Sequence, residues 1–185
     1  MSKLIYTTIQ SLDGYVEDAS GSFEWTMPDE EVHAHVNDGE RDNAVHLYGR
    51  AMYDVLKVWQ TLGDNPDDPA AIRDYAQIWR AADKIVFSRT LTEVETSNTR
   101  IESEFTAEVV QSIKSASASS IAIGGAGLAA QAFEFGLIDE VNVYAHPVII
   151  GSGKRSLAQS RVDLELVDEH RFASGVVFLK YNVRG

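Results

Sequence analysis

Ser119-Ser120-Ile121-Ala122-Ile123-Gly124-Gly125-Ala126-Gly127-Leu128-Ala129-Ala130-Gln131-Ala132-Phe133-Glu134-Phe135 passes from a short β-branched apolar run, through glycines, into an alanine-rich segment. This order predicts a strand, a tight turn and the start of a helix. Glycines allow backbone conformations closed to other residues and let a ligand come near. The first free N–H groups of the following helix point outward at the positive end of its dipole. The stretch thus reads either as a phosphate cradle or as a sharp turn between a buried strand and a packed helix, and the rest of the chain has to decide.

Working outward, other junctions of the same kind appear. Asn43 to Tyr48 reads as a strand that meets Gly49-Arg50 before a helix carrying Ala51, Val55, Leu56 and Val58. Lys84-Ile85-Val86-Phe87-Ser88 is a short buried-type strand that ends in Ser88-Arg89-Thr90. Leu4 to Ile9 forms an opening strand that runs to the turn signal Asp13-Gly14. From Gly14 to Pro28 a long loop carries Tyr15, Phe23 and Trp25, the composition of a lid or binding loop. Pro28-Asp29-Glu30-Glu31 predicts a helix beginning, continuing through Val32 and Val36 and ending by Gly39. A further helix is expected from about Ala70 to Ala82, a brief strand at Thr99 to Ile101 and a helix from Phe105 to Ser115. Beyond the central stretch, Glu140 to Tyr144 and Pro147 to Ile150 read as apolar strands, Gly151-Ser152-Gly153 as a turn, and Leu164 to His170 with Val176 to Tyr181 as a closing antiparallel pair. There is no internal repeat.

Strands alternating with helices through residue 135 predict an α/β fold: a mixed, mostly parallel sheet with helices on both faces and antiparallel C-terminal edge strands. Residues 1–185 read as one domain, a length at which a sizeable core can form. Ligands of such sheets lie beyond the carboxyl ends of the strands, which is where Gly49-Arg50, Ser88-Arg89 and Gly124-Gly125 are expected.

Composition narrows the function. Sixteen basic against 28 acidic residues, a net charge of −12, argue against a sequence-independent grip on nucleic acid or an anionic membrane. An anionic ligand must therefore meet locally placed Arg or Lys. The absence of cysteine excludes disulfides, thiolate chemistry and cysteine-based metal sites, and fits a reducing compartment. The first residues carry no long apolar core or cleavage signal, and no run of about 18 apolar residues occurs, so a cytoplasmic protein is expected.

Competing motifs fail on context. Gly125-Ala126-Gly127-Leu128-Ala129-Ala130 fits a dinucleotide fingerprint, but the acid expected about 20 residues later falls near Ala145-His146-Pro147, and too little chain follows for that fold. Gly151-Ser152-Gly153-Lys154-Arg155 lacks the first glycine and the hydroxyl of a phosphate loop, since Val148 and Arg155 stand there. His33-Ala34-His35 points its imidazoles apart on a helix and reads as a solvated face, with no metal site. No serine sits in a nucleophile-elbow sequence. Asp29 and Glu30, at a helix start beside an aromatic loop, are candidates for proton handling, although the dipole explains acids there equally well.

Taken together, Leu47-Tyr48-Gly49-Arg50-Ala51-Met52-Tyr53-Asp54, Val86-Phe87-Ser88-Arg89-Thr90-Leu91 and Ile121-Ala122-Ile123-Gly124-Gly125-Ala126-Gly127-Leu128 resemble the dihydrofolate reductase superfamily. Gly136-Leu137-Ile138-Asp139-Glu140-Val141 followed by Pro147-Val148-Ile149-Ile150-Gly151-Ser152-Gly153 is similar to the reductase domain of bacterial riboflavin biosynthesis, the RibD C-terminal type, and its stand-alone relatives. The matches span nearly the whole chain. The resemblance implies an eight-stranded sheet and an NADPH-dependent reductase that transfers hydride to a small heteroaromatic or ribosylaminopyrimidine substrate, in the manner of a 5-amino-6-(5-phosphoribosylamino)uracil reductase. It implies that Gly124 and Gly125, with Ala126, Gly127 and Leu128, cradle the cofactor pyrophosphate. Gly49-Arg50 would approach the phosphates, and Ser88 with Arg89 would face the 2′-phosphate. Trp25-Thr26-Met27-Pro28-Asp29-Glu30 resembles the acid-bearing segment of folate reductases, which places the substrate-binding acid on Glu30 with Asp29 as near alternative. The Ser11-Leu12-Asp13-Gly14 loop and the C-terminal signature depart from true folate reductases. Dihydrofolate reduction, or a silent NADP-binding protein, are the alternatives. A homodimer is the implied assembly. The zinc deaminase domain that often precedes such reductase domains has no counterpart in this cysteine-free sequence.

Overall fold

A computed structural model describes residues 2–184. The strands are β1 (Leu4–Ser11), β2 (Tyr15–Asp18), β3 (Asn43–Gly49), β4 (Asp83–Phe87), β5 (Thr99–Glu102), β6 (Ser120–Gly124), β7 (Glu140–His146), β8 (Gly153–Arg155), β9 (Leu164–Arg171) and β10 (Val177–Val183). The helices are α1 (Glu30–Glu40), α2 (Arg50–Leu56), α3 (Ala70–Ala81), α4 (Ala107–Ala116) and α5 (Ala126–Glu134), with short 3-10 turns at Glu24–Thr26 and Lys57–Gln60.

Eight strands form one sheet in the order β5-β4-β3-β6-β1-β7-β10-β9. The six from β5 to β7 are mutually parallel, and β10 runs antiparallel to both β7 and β9. The sheet is the mixed, mostly parallel one expected, and its interior strands are largely buried on both faces because helices cover both.

Alternation along the strands assigns the faces. Leu4, Tyr6, Leu47, Ile85, Phe87, Ile121, Ile123, Val141 and Val143 pack against Val110 of α4 and Leu128, Ala129 and Ala132 of α5. On the opposite face, Tyr144 and Phe178 meet Val32 of α1, and Tyr48 and Val86 meet Tyr53 of α2. α3 lies outside α1, joined by Asn37 Nδ2 donating to Ala71 O at 2.9 Å and to Asp74 Oδ2 at 2.9 Å. Burying a Leu, Ile or Phe side chain stabilises by roughly 1.5–3 kcal/mol, so the first cluster is the larger share of the fold's free energy.

Three local readings need correction. Pro147 to Ile150 is not a strand. Proline has no N–H to donate to a ladder, Val148 N turns back onto His146 O at 2.8 Å, and Ile150 N and Gly151 N donate to the Asp13 carboxylate at 3.2 and 2.7 Å. Part of the Gly14–Pro28 loop is strand instead: β2 pairs antiparallel with β8, just past the expected turn. Gly153 makes that approach possible, since a Cβ there would overlap the Glu17 carbonyl. Third, His33 and His35 are half-buried rather than solvated, because α1 is covered by the sheet on one side and α3 on another. His33 packs on Trp59 and Tyr75, and His35 Nδ1 pairs with Tyr144 Oη at 2.8 Å. Smaller shifts occur at α1, where Asp29 is the cap, Pro28 stands outside, and the helix runs one residue past Gly39.

Candidate functional site

β4, β3 and β6 are neighbours in the sheet, so their carboxyl ends bring the three glycine or serine junctions side by side. In the register, Gly49 lies opposite Phe87 on one side, and its neighbour Tyr48 opposite Gly124 on the other. Adjacent strands lie about 4.8 Å apart, so Gly49, Ser88 and Gly124 share one stretch of the sheet edge. Gly49 also reaches α5: a Cβ on it would sit 4.0 Å from Leu128 Cβ.

At the β6 junction, Gly125 caps α5 with φ 94°, a conformation L side chains rarely adopt. Gly124 is demanded by packing, since a Cβ there would stand 2.8 Å from the Tyr48 ring. Gly127 is different. A Cβ on it would meet nothing within 4 Å, so no neighbour requires glycine in this helical turn, where it costs about 1 kcal/mol relative to alanine. The N–H groups of Ala126, Gly127 and Leu128 have no intrahelical acceptor, and no acidic residue or side-chain cap stands in the first turn of α5. This helix end is a donor array turned toward the sheet edge.

The cations stand beside it. Arg50, the first residue of α2, donates from Nη1 to Thr90 Oγ1 at 2.9 Å and lies 3.6 Å from Asp54 through Nε. Both Arg50 and Asp54 are exposed, so that pair is weak. Ser88 Oγ accepts from Thr90 N at 3.3 Å and Leu91 N at 3.0 Å, which shapes the turn after β4. Arg89 is exposed and makes no ion pair or hydrogen bond among the described residues. In a strongly acidic chain, an uncommitted arginine at a strand end on the same sheet edge as a bare helix N-terminus can bind a phosphate.

The acidic candidates sit elsewhere on the same edge, at the start of α1. Asp29 Oδ1 accepts from Val32 N at 2.9 Å, and this bond, with the Ser174 hydroxyl, holds its carboxyl below the usual carboxylate range. Glu30 follows in the exposed first turn, and Glu31 Oε2 accepts from Ala173 N at 3.2 Å. Facing Asp29 is His146, the last residue of β7, next to Ser11 of β1 in the register. Burial pushes its imidazole below the usual histidine range, against the opposing pull of Asp29. Trp25 covers it edge-on, with ring centroids 6.4 Å apart. Only its place at a strand's carboxyl end, before a proline, marks His146 in the sequence, and its facing of Asp29 is a long-range contact that no local pattern carries.

Among the described residues no group of three or more His, Asp and Glu is arranged to hold a metal ion. Two hollows line the opposite, amino-terminal edge, one between Arg41-Asp42 and Ala118-Ser119-Ser120, the other between β4, β5 and α4. Both are open and lie far along the strands from the glycine junctions, so we do not assign them to the site.

Fold and junctions define an α/β domain of the dihydrofolate reductase-like class. The chain belongs to the RibD C-terminal domain family, whose model matches residues 2–178. It is similar to the uncharacterized protein YyaP of Bacillus subtilis strain 168, with 28% identity over 185 residues covering 99% of this chain and 96% of that protein. The fold is similar to that of a putative riboflavin biosynthesis protein from Shewanella sp. PV-4, at TM-score 0.75 and 16% identity over 99% of both chains. It is also similar to a pyrimidine reductase-like protein from Corynebacterium diphtheriae, at TM-score 0.69 and 15% identity over 100% of this chain and 92% of that one. A diaminohydroxyphosphoribosylaminopyrimidine deaminase/5-amino-6-(5-phosphoribosylamino)uracil reductase from Thermotoga maritima matches at TM-score 0.67 and 16% identity, with 99% of this chain spanning 57% of that one.

Proposed function

We propose that this protein is an NADPH-dependent oxidoreductase that reduces a small heteroaromatic or ribosylaminopyrimidine substrate, acting as a single 1–185 domain in a cytoplasmic homodimer. Family membership supports a riboflavin-type reductase. The observation that carries the cofactor assignment is the meeting of Arg50, Ser88-Arg89 and the bare N-terminus of α5 at three neighbouring strand ends. The residues present suit a phosphorylated dinucleotide. Gly127 leaves open room at the helix end, and among the described residues Arg89 makes no ion pair with a carboxylate. In this reading the N–H groups of Ala126, Gly127 and Leu128 bind the pyrophosphate, Gly124 and Gly125 set their direction, and Gly49 lets Arg50 approach it. Ser88 and Arg89 hold the 2′-phosphate. The nicotinamide, when bound, supplies hydride. Glu30, or Asp29, orients the substrate and delivers the proton.

A second reading, a protein that binds NADPH without turning over substrate, is favoured by one observation: Asp29 is committed to capping α1. A substrate panel separates the two. Acceleration of NADPH oxidation by 5-amino-6-(5-phosphoribosylamino)uracil or a related ribosylaminopyrimidine supports the reductase. Cofactor binding with no turnover across pterins, ribosylaminopyrimidines and quinones supports the silent form.

A further inference from the structure

A group of buried polar residues lies where the ends of α1 and α3 meet β3 and β4. Glu40, Asn43, His46, Tyr48, Trp79 and Lys84 are each 8% exposed or less. His46 Nδ1 pairs with Tyr48 Oη at 2.6 Å, whereas among the described residues His46 Nε2 has no hydrogen-bond partner. Glu40 Oε2 stands 3.8 Å from that nitrogen and accepts from Asn43 Nδ2 at 3.1 Å. Lys84 is beside His46 in the register, and its ammonium donates to Trp79 O and Ala82 O.

This group touches the glycine junction through Tyr48. In the parallel register Tyr48 lies opposite Gly124, and its ring occupies the space where a side chain on β6 would stand. A Cβ on Gly124 would be 2.8 Å from the Tyr48 ring and 3.5 Å from Met52 Cγ, and one on Gly125 would be 3.2 Å from Met52 Cβ. The two glycines therefore rest on Tyr48 and Met52 on the α2 side of the sheet, while α5 packs on the other side. Close-packed interiors pass on small displacements, so a shift of the Tyr48 ring moves the turn that aims the first N–H groups of α5.

The direction of the Tyr48–His46 bond follows from protonation. Burial raises the Tyr48 phenol well above its ordinary value, with Tyr75 of α3 and Glu40 adding to the effect, so its O–H stays protonated and donates to neutral His46 at Nδ1. Burial holds the imidazole below the usual histidine range; Glu40 at the end of α1 pulls the other way, and Lys84 on β4 adds to the burial. A charged imidazole carries hydrogen on both nitrogens and can no longer accept from Tyr48, and the new cation is drawn toward Glu40. We propose that His46 is a positioning residue for the dinucleotide junction: through Tyr48 it fixes the floor under Gly124 and Gly125, and charging it loosens the grip of the α5 N-terminus on a pyrophosphate. The assignment rests on the cofactor reading above and adds a pH-sensitive support to it.

Two measurements on the full chain test it. His46→Leu removes the acceptor and should weaken NADPH binding at about pH 8 by about three- to tenfold, the worth of one hydrogen bond. His46→Gln, whose amide oxygen can take the phenol hydrogen, should recover most of that loss. As the pH falls to about 5, where imidazole charges, wild-type affinity should drop further than that of His46→Gln by about the same factor. Titration of the cofactor's own phosphate is common to both proteins and leaves the comparison unaffected. In the isotopically labelled chain without cofactor, the Gly124 and Gly125 amide signals should follow the His46 ring titration, and should stand still in His46→Gln. Glycine signals that ignore His46, or affinities of wild type and His46→Gln that fall in parallel, overturn the inference. Should His46→Leu fail to fold, the wild-type glycine signals and Tyr48→Phe decide, the latter losing the same share of the pH dependence. Glycine signals that follow His46 in a wild type that binds no NADPH would uphold the coupling and overturn the cofactor reading.

Discussion

Arg50 Nη1 donates to Thr90 Oγ1 at 2.9 Å, so the side chain leaving the carboxyl end of β3 is latched to the loop that follows β4. The latch aligns one arginine in advance while Arg89, a residue before Thr90, stays uncommitted. Arg50→Ala should therefore weaken NADPH binding by about tenfold, the loss of one charge-assisted contact. Thr90→Val, which keeps the charge and removes only the latch, should cost a few-fold at most. Calorimetric titration of both variants checks the order.

The glycines of the β6–α5 junction should separate packing from binding. Gly124→Ala drives a methyl into the Tyr48 ring and is expected to destabilise the fold by about 1–3 kcal/mol. Gly127→Ala meets open space and adds helix propensity, so its melting temperature should hold or rise. Its NADPH affinity should nonetheless fall, because the new methyl occupies the approach to the helix N-terminus. Thermal melts beside cofactor titrations read both effects.

Asp29 caps α1, and in the proposed reading Glu30 beside it serves the chemistry. Asp29→Ala removes the cap bond to Val32 N and should cost about 1 kcal/mol, whereas Asp29→Asn, itself a good cap, should cost a few tenths. Glu30→Gln should leave the melting temperature unchanged and lower kcat by about a hundredfold with an accepted substrate, the usual worth of a positioned proton donor. Full turnover of Glu30→Gln would remove Glu30 from the mechanism.

Lys84 gives the stability a pH dependence. Its ammonium is buried, donates to Trp79 O at 2.9 Å and Ala82 O at 2.8 Å, and burial lowers its pKa to about 8. The unfolded chain, with lysine near 10.4, holds its proton more tightly, so unfolding is favoured by protonation and stability climbs from about pH 8 toward 10. The slope is at most about 1.4 kcal/mol per pH unit. Above that window tyrosines such as Tyr6, pushed up to about 12, reverse the trend. Urea melts across pH 7–10 should show the rise in the wild type and a flatter line in Lys84→Met.

How far the sequence carried the reading depended on whether the deciding interaction was local. β1, β3, β4 and β6 are short β-branched runs bounded by glycine or serine, and β-propensity with turn chemistry suffices to place them. Pro147–Ile150 has an equally apolar composition, yet the Asp13 carboxylate, far away in the chain, takes the N–H groups a ladder would need. β2 and β8 are invisible locally for the same reason, since each is a strand only because the other is there. The three strand-end junctions were legible because cation, glycine or serine, and strand end fall within a few residues. The Trp25–His146 contact was not, because it joins the loop after β2 to the end of β7.

The central claim is that Arg50, Ser88-Arg89 and the N-terminus of α5 form an NADPH site, and Arg89 tests it most directly. Calorimetric titration of the wild type should give micromolar or tighter NADPH binding and much weaker NADH binding. Arg89→Ala should lose about 10- to 100-fold in NADPH affinity while NADH binding and the melting temperature stay as they were. An absence of NADPH binding in the micromolar range, or binding that Arg89→Ala leaves untouched, would contradict it.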